Sequence, residues 1–272
     1  MPELPEVETT RRGVEPHVAG RRIVQLSVHE PRLRWPVPAE LASQVAGARI
    51  ERAERRAKYL LFPLDTGGTL LLHLGMSGSL RVLPAETPRR LHDHLDFRLD
   101  SGKTLRFNDP RRFGSLHYAL GDPRAHPLLS RLAPEPLGPD FDGEYLWRAT
   151  RGRRVSIKQL IMDSHRVVGV GNIYASEALY RAGIRPRRQA RGLSHAEADR
   201  LAGAIREVLA LAVEVGGTTL RDYVGADGSP GYFRQQLFVY ERGGEPCRGC
   251  GQPVRHAVQG QRSTYWCALC QH

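Results

Sequence analysis

The chain has 272 residues, 40% hydrophobic and 25% charged, with 40 Lys and Arg against 29 Asp and Glu, a formal charge of +11 and a pI near 10.0. That length allows two domains with separate cores, and the composition excludes a disordered or fibrous chain. No run of about 18 apolar residues and no basic-then-apolar leader is present, so a cytoplasmic protein with a polyanionic partner and no membrane span is expected.

The N-terminus reads Met1-Pro2-Glu3-Leu4-Pro5-Glu6-Val7-Glu8. Removal of Met1 would expose the secondary amine of Pro2 beside the carboxylate of Glu3. An α-amino group titrates near about pH 8, so part of it is unprotonated at neutral pH and can attack a sugar aldehyde carbon to give a Schiff base. Glu6 to Val14 reads as a helix, acidic at its start and basic at Arg11 and Arg12. A helix N-terminus disfavours an ammonium ion while Glu3 and Glu6 favour it, which leaves the sign of the amine's shift open. A simpler reading, that Pro2 and Pro5 only start a helix, stands beside the chemical one.

Strands are expected at Arg22 to Val28, Lys58 to Leu64, Thr69 to Leu74, Ser79 to Leu83, His94 to Leu99, Thr104 to Asn108 and Phe113 to Ala119. Asp65-Thr66-Gly67-Gly68 and Asp100-Ser101-Gly102 connect neighbours as hairpin turns, which points to an antiparallel sandwich or barrel. Pro and Gly then cluster from Pro134 to Gly143, as in an interdomain linker. The expected division is a β-sandwich domain at 1–133, a linker at 134–147, a helical domain at 148–234 and a finger at 235–272.

Beyond the linker the pattern turns helical. Arg148 to Arg191 holds eleven basic residues against Asp163 and Glu177, a net +9 that suits a phosphate-facing surface. Short helices are expected at Ser156 to Asp163 and at Asn172 to Tyr180, around the glycine-rich Val167 to Gly171. The start at Gly171-Asn172, reached by a small residue and capped by Asn172, could hold a phosphate on free N–H groups, or could simply pack tightly. Ser194 with Glu197 forms a capping box for a longer helix that Gly216-Gly217 stops. Lysine occurs only at Lys58, Lys103 and Lys158, and a chain that otherwise uses arginine can keep lysine where a titratable amine is needed.

All four cysteines lie near the C-terminus, as Cys247-x2-Cys250 and Cys267-x2-Cys270. This spacing suits four thiolates around one structural zinc ion, with two disulfides as the competing reading. The stretch between the pairs fits a β-hairpin with Gly260 before the return strand, and Arg255, Arg262, Tyr265 and Trp266 equip it for a nucleic-acid groove.

Taken in order, Met1 to Thr9, Arg55-Arg56-Ala57-Lys58-Tyr59-Leu60-Leu61, His73-Leu74-Gly75-Met76-Ser77-Gly78-Ser79, His92-Asp93-His94, Asp109-Pro110-Arg111-Arg112-Phe113-Gly114, Gly169 to Glu177 and the cysteine pairs closely resemble the bacterial formamidopyrimidine-DNA glycosylase family across essentially the whole chain. The resemblance implies an α+β multidomain protein: an N-terminal β-sandwich flanked by helices, a helix-two-turns-helix domain and a C-terminal β-hairpin zinc finger. It implies a monomer that binds damaged double-stranded DNA, flips the lesion out of the duplex and works in the cytoplasm on the nucleoid. Catalysis would rest on Pro2 as nucleophile, Glu3 as proton donor, Lys58 in β-elimination and Arg262 in δ-elimination. An arginine gives up a proton with difficulty, so Arg262 is better suited to clamping a phosphate. Met76, Arg111 and Phe113 would fill the void left by the flipped base, with Arg111 facing the orphaned cytosine. His73, His92, Lys158, Asn172 and Arg153 would contact DNA, and Thr218 to Phe233 would cover the extruded base.

Two other readings fit parts of this pattern. Endonuclease VIII relatives favour oxidised pyrimidines but begin Pro-Glu-Gly-Pro, where this chain has Leu4. A zinc-finger protein that binds damage without cutting would have no need of a free Pro2.

Overall fold

The computed structural model describes residues 2–217 and 236–272, so the expected lesion-covering loop from Thr218 to Phe233 lies outside the described residues. The described chain packs as two units, residues 2–130 with 216–217, and residues 131–215 with 236–272.

The first unit opens with helix α1 (Leu4–Val18) and strand β1 (Ile23–Val28), followed by the short helix α2 (Leu41–Val45). Seven strands complete it: β2 (Glu54–Arg56), β3 (Tyr59–Pro63), β4 (Gly68–His73), β5 (Ser79–Pro84), β6 (Asp93–Leu99), β7 (Lys103–Asn108) and β8 (Ser115–Leu120). They form two antiparallel sheets, ordered β1-β6-β7-β5 and β2-β3-β4-β8. One core takes Ile23, Leu26, Leu80, Leu95, Phe97, Leu105 and Phe107 from the first sheet and Leu60, Phe62, Leu70, Leu72 and Leu116 from the second, with Val7, Val14 and Val18 of α1. This is the sandwich expected from the strand pattern. α2 and β2 were not legible in the sequence, because a five-residue helix is too short to show a period and β2 is the charged run Glu54-Arg55-Arg56.

Strand period fixes which residues leave the core. Leu60 and Leu72 are cross-strand partners inside it, so the next pair, Tyr59 and His73, turns to the opposite face. Their rings meet with centroids 4.8 Å apart. A two-residue turn, Ala57-Lys58, joins β2 to β3 and sets Lys58 immediately before Tyr59.

The second unit holds α3 (Gly143–Thr150), α4 (Ile157–Ile161), α5 (Asn172–Arg181), α6 (His195–Glu214) and the hairpin β9 (Arg255–Gln259) with β10 (Arg262–Trp266). α3 begins inside the stretch read as linker, because the Asp142 side chain caps it, accepting from the Tyr145 N–H at 2.7 Å. The Ser194–Glu197 capping box is present at the start of α6. Glu177, buried in α5, accepts the N–H groups of Phe238, Val239 and Tyr240 at 2.8, 3.0 and 2.9 Å and so fastens the chain that leads into the finger. No helix among the described residues is long and apolar enough to cross a membrane.

Candidate functional site

The start of α1 is pinned rather than frayed. Glu3 is its N-cap, its N–H donates to the Glu6 carboxylate at 2.8 Å, and the Glu3 side chain accepts the Glu6 N–H in return. Pro2, Glu3 and Glu6 are all buried. The helix is also tied to the lysine-bearing turn. Glu8 meets Arg55 of β2 at 3.1 Å, and the other side of that guanidinium donates to the Ala57 carbonyl at 2.9 Å. One arginine thus links the helix that carries Pro2 and Glu3 to the peptide that precedes Lys58.

Ala57 sits at φ 54°, in the left-handed region that costs a residue with a Cβ about 1–2 kcal/mol. Four further non-glycine residues share this conformation: His92 (71°), Arg112 (56°), Glu241 (57°) and Gln261 (61°). Of the five, one is a candidate DNA contact and three adjoin candidates, Lys58, Arg111 with Phe113, and Arg262. Strain concentrated in this way marks positions that the surrounding structure holds for a purpose other than stability.

His73 is held neutral. Gly75 donates its N–H to His73 Nδ1 at 2.9 Å, which leaves Nε2 as the protonated nitrogen. Burial, with smaller contributions from the charges of Lys58, Arg34 and His117, pulls its pKa down to about 4. It therefore offers an N–H donor and no positive charge.

Met76, Arg111 and Phe113 lie on two loops that one buried carboxylate knits together. Asp109 accepts from the Ser77 hydroxyl at 2.6 Å, from the Gly114 N–H at 2.7 Å and from the Arg111 N–H at 3.3 Å. Its N–H donates to the His92 carbonyl at 3.0 Å, and His94 Nε2 meets its carbonyl at 2.8 Å. The loops also touch backbone to backbone: Gly75 has φ +68°, and a Cβ there would fall 2.4 Å from the Gly114 nitrogen. Arg111 and Phe113 are exposed, with the guanidinium stacked 4.7 Å over the ring. Sequence reasoning missed Asp109 as an organiser, and its only signal was its place at the head of the Asp109-Pro110 turn.

In the second unit Lys158 is buried, and its ammonium donates to the Ser263 carbonyl at 3.1 Å and the Thr264 hydroxyl at 2.8 Å. Asn172 Nδ2 donates to the same Ser263 carbonyl at 2.9 Å. Gly171, rather than Asn172, is the N-cap of α5, so the asparagine amide is directed at the finger strand and not at its own helix end. Both side chains thereby fix β10 one residue from Arg262, which is exposed. Arg262 follows a tight turn in which Gly260 and Gln261 both have positive φ, the geometry of a type I′ hairpin.

The +9 counted between Arg148 and Arg191 is partly neutralised by carboxylates outside that window. Glu144 pairs with Arg148, Glu207 with Arg181 and Glu197 with Arg188. Arg153, Arg154 and Arg187 have no carboxylate partner among the described residues, and the first two stand exposed beside α3. Lys103, the third lysine, meets His17 Nδ1 at 3.1 Å, away from the residues above.

The four cysteine sulfurs lie within 4.8 Å of one another, with Cys247 to Cys270 at 3.9 Å and Cys250 to Cys267 at 3.4 Å. A tetrahedron of Zn–S bonds about 2.3 Å long has edges of roughly 3.8 Å, so the donor set fits zinc, and none of the cysteines is in a disulfide. The Tyr180 hydroxyl lies 3.3 Å from Cys247 Sγ and can donate to a thiolate there. A closed four-thiolate site stabilises the hairpin and leaves no open position for chemistry.

Two outcomes follow from this geometry. Gly75→Ala should lower stability by about 2 kcal/mol or more, through strain at positive φ and the clash with Gly114. Denaturant unfolding of the two proteins would measure the loss. In the free protein the His73 ring should stay neutral at pH 5.5 and titrate near pH 4. Since the unfolded imidazole titrates near about 6.5, this stability is present above that pH and lost as the pH falls toward 4. A nitrogen-15 NMR titration showing His73 protonation near 6.5 would contradict the assignment.

Residues 1–116 match the formamidopyrimidine-DNA glycosylase N-terminal domain, residues 132–224 the helix-two-turns-helix domain of the same enzymes, and residues 244–272 the zinc finger found in FPG and IleRS. The chain is 62% identical over 271 residues to the formamidopyrimidine-DNA glycosylase of Thioalkalivibrio sulfidiphilus and 56% identical over 271 residues to that of Stutzerimonas stutzeri, covering 100% of both chains in each case. Among solved structures it is similar to the MutM (Fpg) protein of Thermus thermophilus, with a TM-score of 0.90 and 44% identity over 99% of this chain and 98% of that one. It is also similar to the Lactococcus lactis FPG (MutM) in complex with a Fapy-dG containing DNA, with a TM-score of 0.91 and 32% identity over 99% of each chain. With three matched domains in order and full-length identity above half, the chain belongs to the formamidopyrimidine-DNA glycosylase family.

Proposed function

We propose that the protein is a bifunctional base-excision enzyme that removes oxidised purines, 8-oxoguanine and formamidopyrimidines, from duplex DNA and then cuts the strand. The observation that carries this reading is the buried, reciprocally capped first turn, which gives a residue at the chain terminus the fixed position that a nucleophile needs. Once Met1 is removed, the Pro2 nitrogen attacks C1′ of the flipped nucleotide. The glycosidic bond breaks as Glu3 supplies a proton during base loss; the Pro2 nitrogen, having lost its own proton, then expels the ring oxygen, so that the C1′–O4′ bond breaks, O4′ takes a proton and C1′ and the nitrogen form an iminium. The iminium makes the 2′ proton acidic. Its loss, assisted by Lys58, expels the 3′ phosphate oxygen, and a second elimination expels the 5′ phosphate oxygen to leave a one-nucleotide gap.

The remaining residues position DNA. Phe113 and Met76 fill the hole in the stack, and the donor fork of Arg111 meets the acceptors of the orphaned cytosine. His73 and His92 bind the backbone around Lys58, and Arg153 adds a phosphate contact. Asn172 and Lys158 act on the finger strand next to Arg262, which clamps the phosphate beside the lesion. The protein works as a monomer in the cytoplasm, associated with the nucleoid through its DNA contacts. The oxidised-pyrimidine reading is disfavoured by Leu4, and the non-cutting reading gives the pinned Pro2 no task.

Glu3→Gln should separate the two activities. Excision of 8-oxoguanine opposite cytosine should fall by at least about a hundredfold, as expected for loss of a general acid, while cleavage of a preformed abasic site, which has no base to protonate, should persist. Equal loss on both substrates would remove Glu3 from the proton-donor role.

A further inference from the structure

Between β1 and α2 a loop presents Arg34 and Trp35, neither of which the sequence motifs single out. Arg34 is exposed, yet it is held at both ends. Its N–H donates to the Gly114 carbonyl at 3.0 Å, which fastens it to the loop bearing Arg111 and Phe113. Its guanidinium lies 4.8 Å over the Trp35 ring. Trp35, 39% exposed, meets the His117 ring edge-on at 5.3 Å, and His117 meets His126 at 5.6 Å. The result is a row of three rings in contact that ends in a cation.

What Arg34 lacks is an acid. No carboxylate pairs with it among the described residues, whereas Arg32, two positions earlier, is held by Glu30 at 2.7 Å and Arg112 reaches the same carboxylate. Its charge nonetheless falls on the candidate site: the field of Arg34 acts on both His73 and Tyr59, the cross-strand pair next to Lys58. A guanidinium stacked on an aromatic face keeps its donor fork open to solvent, and that planar fork matches the geometry of a phosphate. Fixing a rotamer-rich side chain in advance also reduces the entropy that binding would otherwise cost.

We propose that Arg34 binds a backbone phosphate of duplex DNA beside the phosphate reached from His73, with Trp35 as the platform that fixes its guanidinium. The proposal rests on the DNA-binding function above and adds a residue to its footprint. Arg34 does not touch the reacting atoms, so its loss weakens binding uniformly and leaves the choice of opposing base alone.

The test is fluorescence anisotropy on a duplex holding a tetrahydrofuran abasic analogue, over roughly 0.05 to 0.4 M salt, for the full-length protein and Arg34→Gln. Loss of one phosphate contact should lower the slope of log Kd against log salt by about 1 and weaken binding about tenfold at low salt. Arg52→Gln, which removes a guanidinium already bound by Glu51 and Glu54, should change neither. Neutral methylphosphonates placed singly along both strands should then identify one position that weakens the unmodified protein but not Arg34→Gln. An unchanged salt slope in Arg34→Gln, or a scan in which no phosphate couples to it, would overturn the proposal. Failure of the unmodified protein to bind the duplex would instead overturn the DNA-binding function itself.

Discussion

A chain terminus can be a nucleophile only if something stops it from fraying, and termini fray unless they are tied down. Here the reciprocal bonds of Glu3 and Glu6 do the tying: they satisfy two backbone donors, bury both carboxylates and fix residue 2 at the head of α1. The pin is transmitted, because Glu8, one turn further on, holds Arg55, and Arg55 holds the carbonyl before Lys58. The proposed nucleophile and the proposed elimination lysine thus stand on elements that share a bonded frame.

The loops proposed to face DNA obey a second constraint, that exposed side chains must be held by buried backbone. Asp109 is fully buried and spends its acceptors on the two loops that present Met76, Arg111 and Phe113. Ala57, His92, Arg112 and Gln261 hold a conformation that costs each of them free energy, at or beside residues assigned to catalysis or DNA. A fold selected for stability alone would place glycine there. The finger follows the same logic through the Ser263 carbonyl, on which the Lys158 ammonium and the Asn172 amide converge.

Much of this was legible in the chain. Alternating strands, the Ser194 capping box and the cysteine spacing are local signals, and each matches an element of the structure. The candidate residues were legible as motifs, but the manner in which they are held was not. That Lys158 is buried under the finger, that Asn172 turns away from its own helix end, and that Asp109 joins loops more than 30 residues apart all depend on tertiary contacts with no sequence period. The charge count overstates the free charge for the same reason: Arg148, Arg181 and Arg188 find Glu144, Glu207 and Glu197 only in the folded chain, and a window of sequence cannot show it. Arg34 was passed over because a lone arginine in a loop carries no pattern until Trp35 and His73 are seen beside it.

The central claim is that chemistry begins at the Pro2 nitrogen. Borohydride reduction of the protein, freed of Met1, during reaction with a duplex holding 8-oxoguanine opposite cytosine, followed by peptide mapping, tests it most directly. The account predicts a covalent DNA adduct confined to Pro2. An adduct on Lys58 alone, or lesion-specific binding with no adduct, would contradict it.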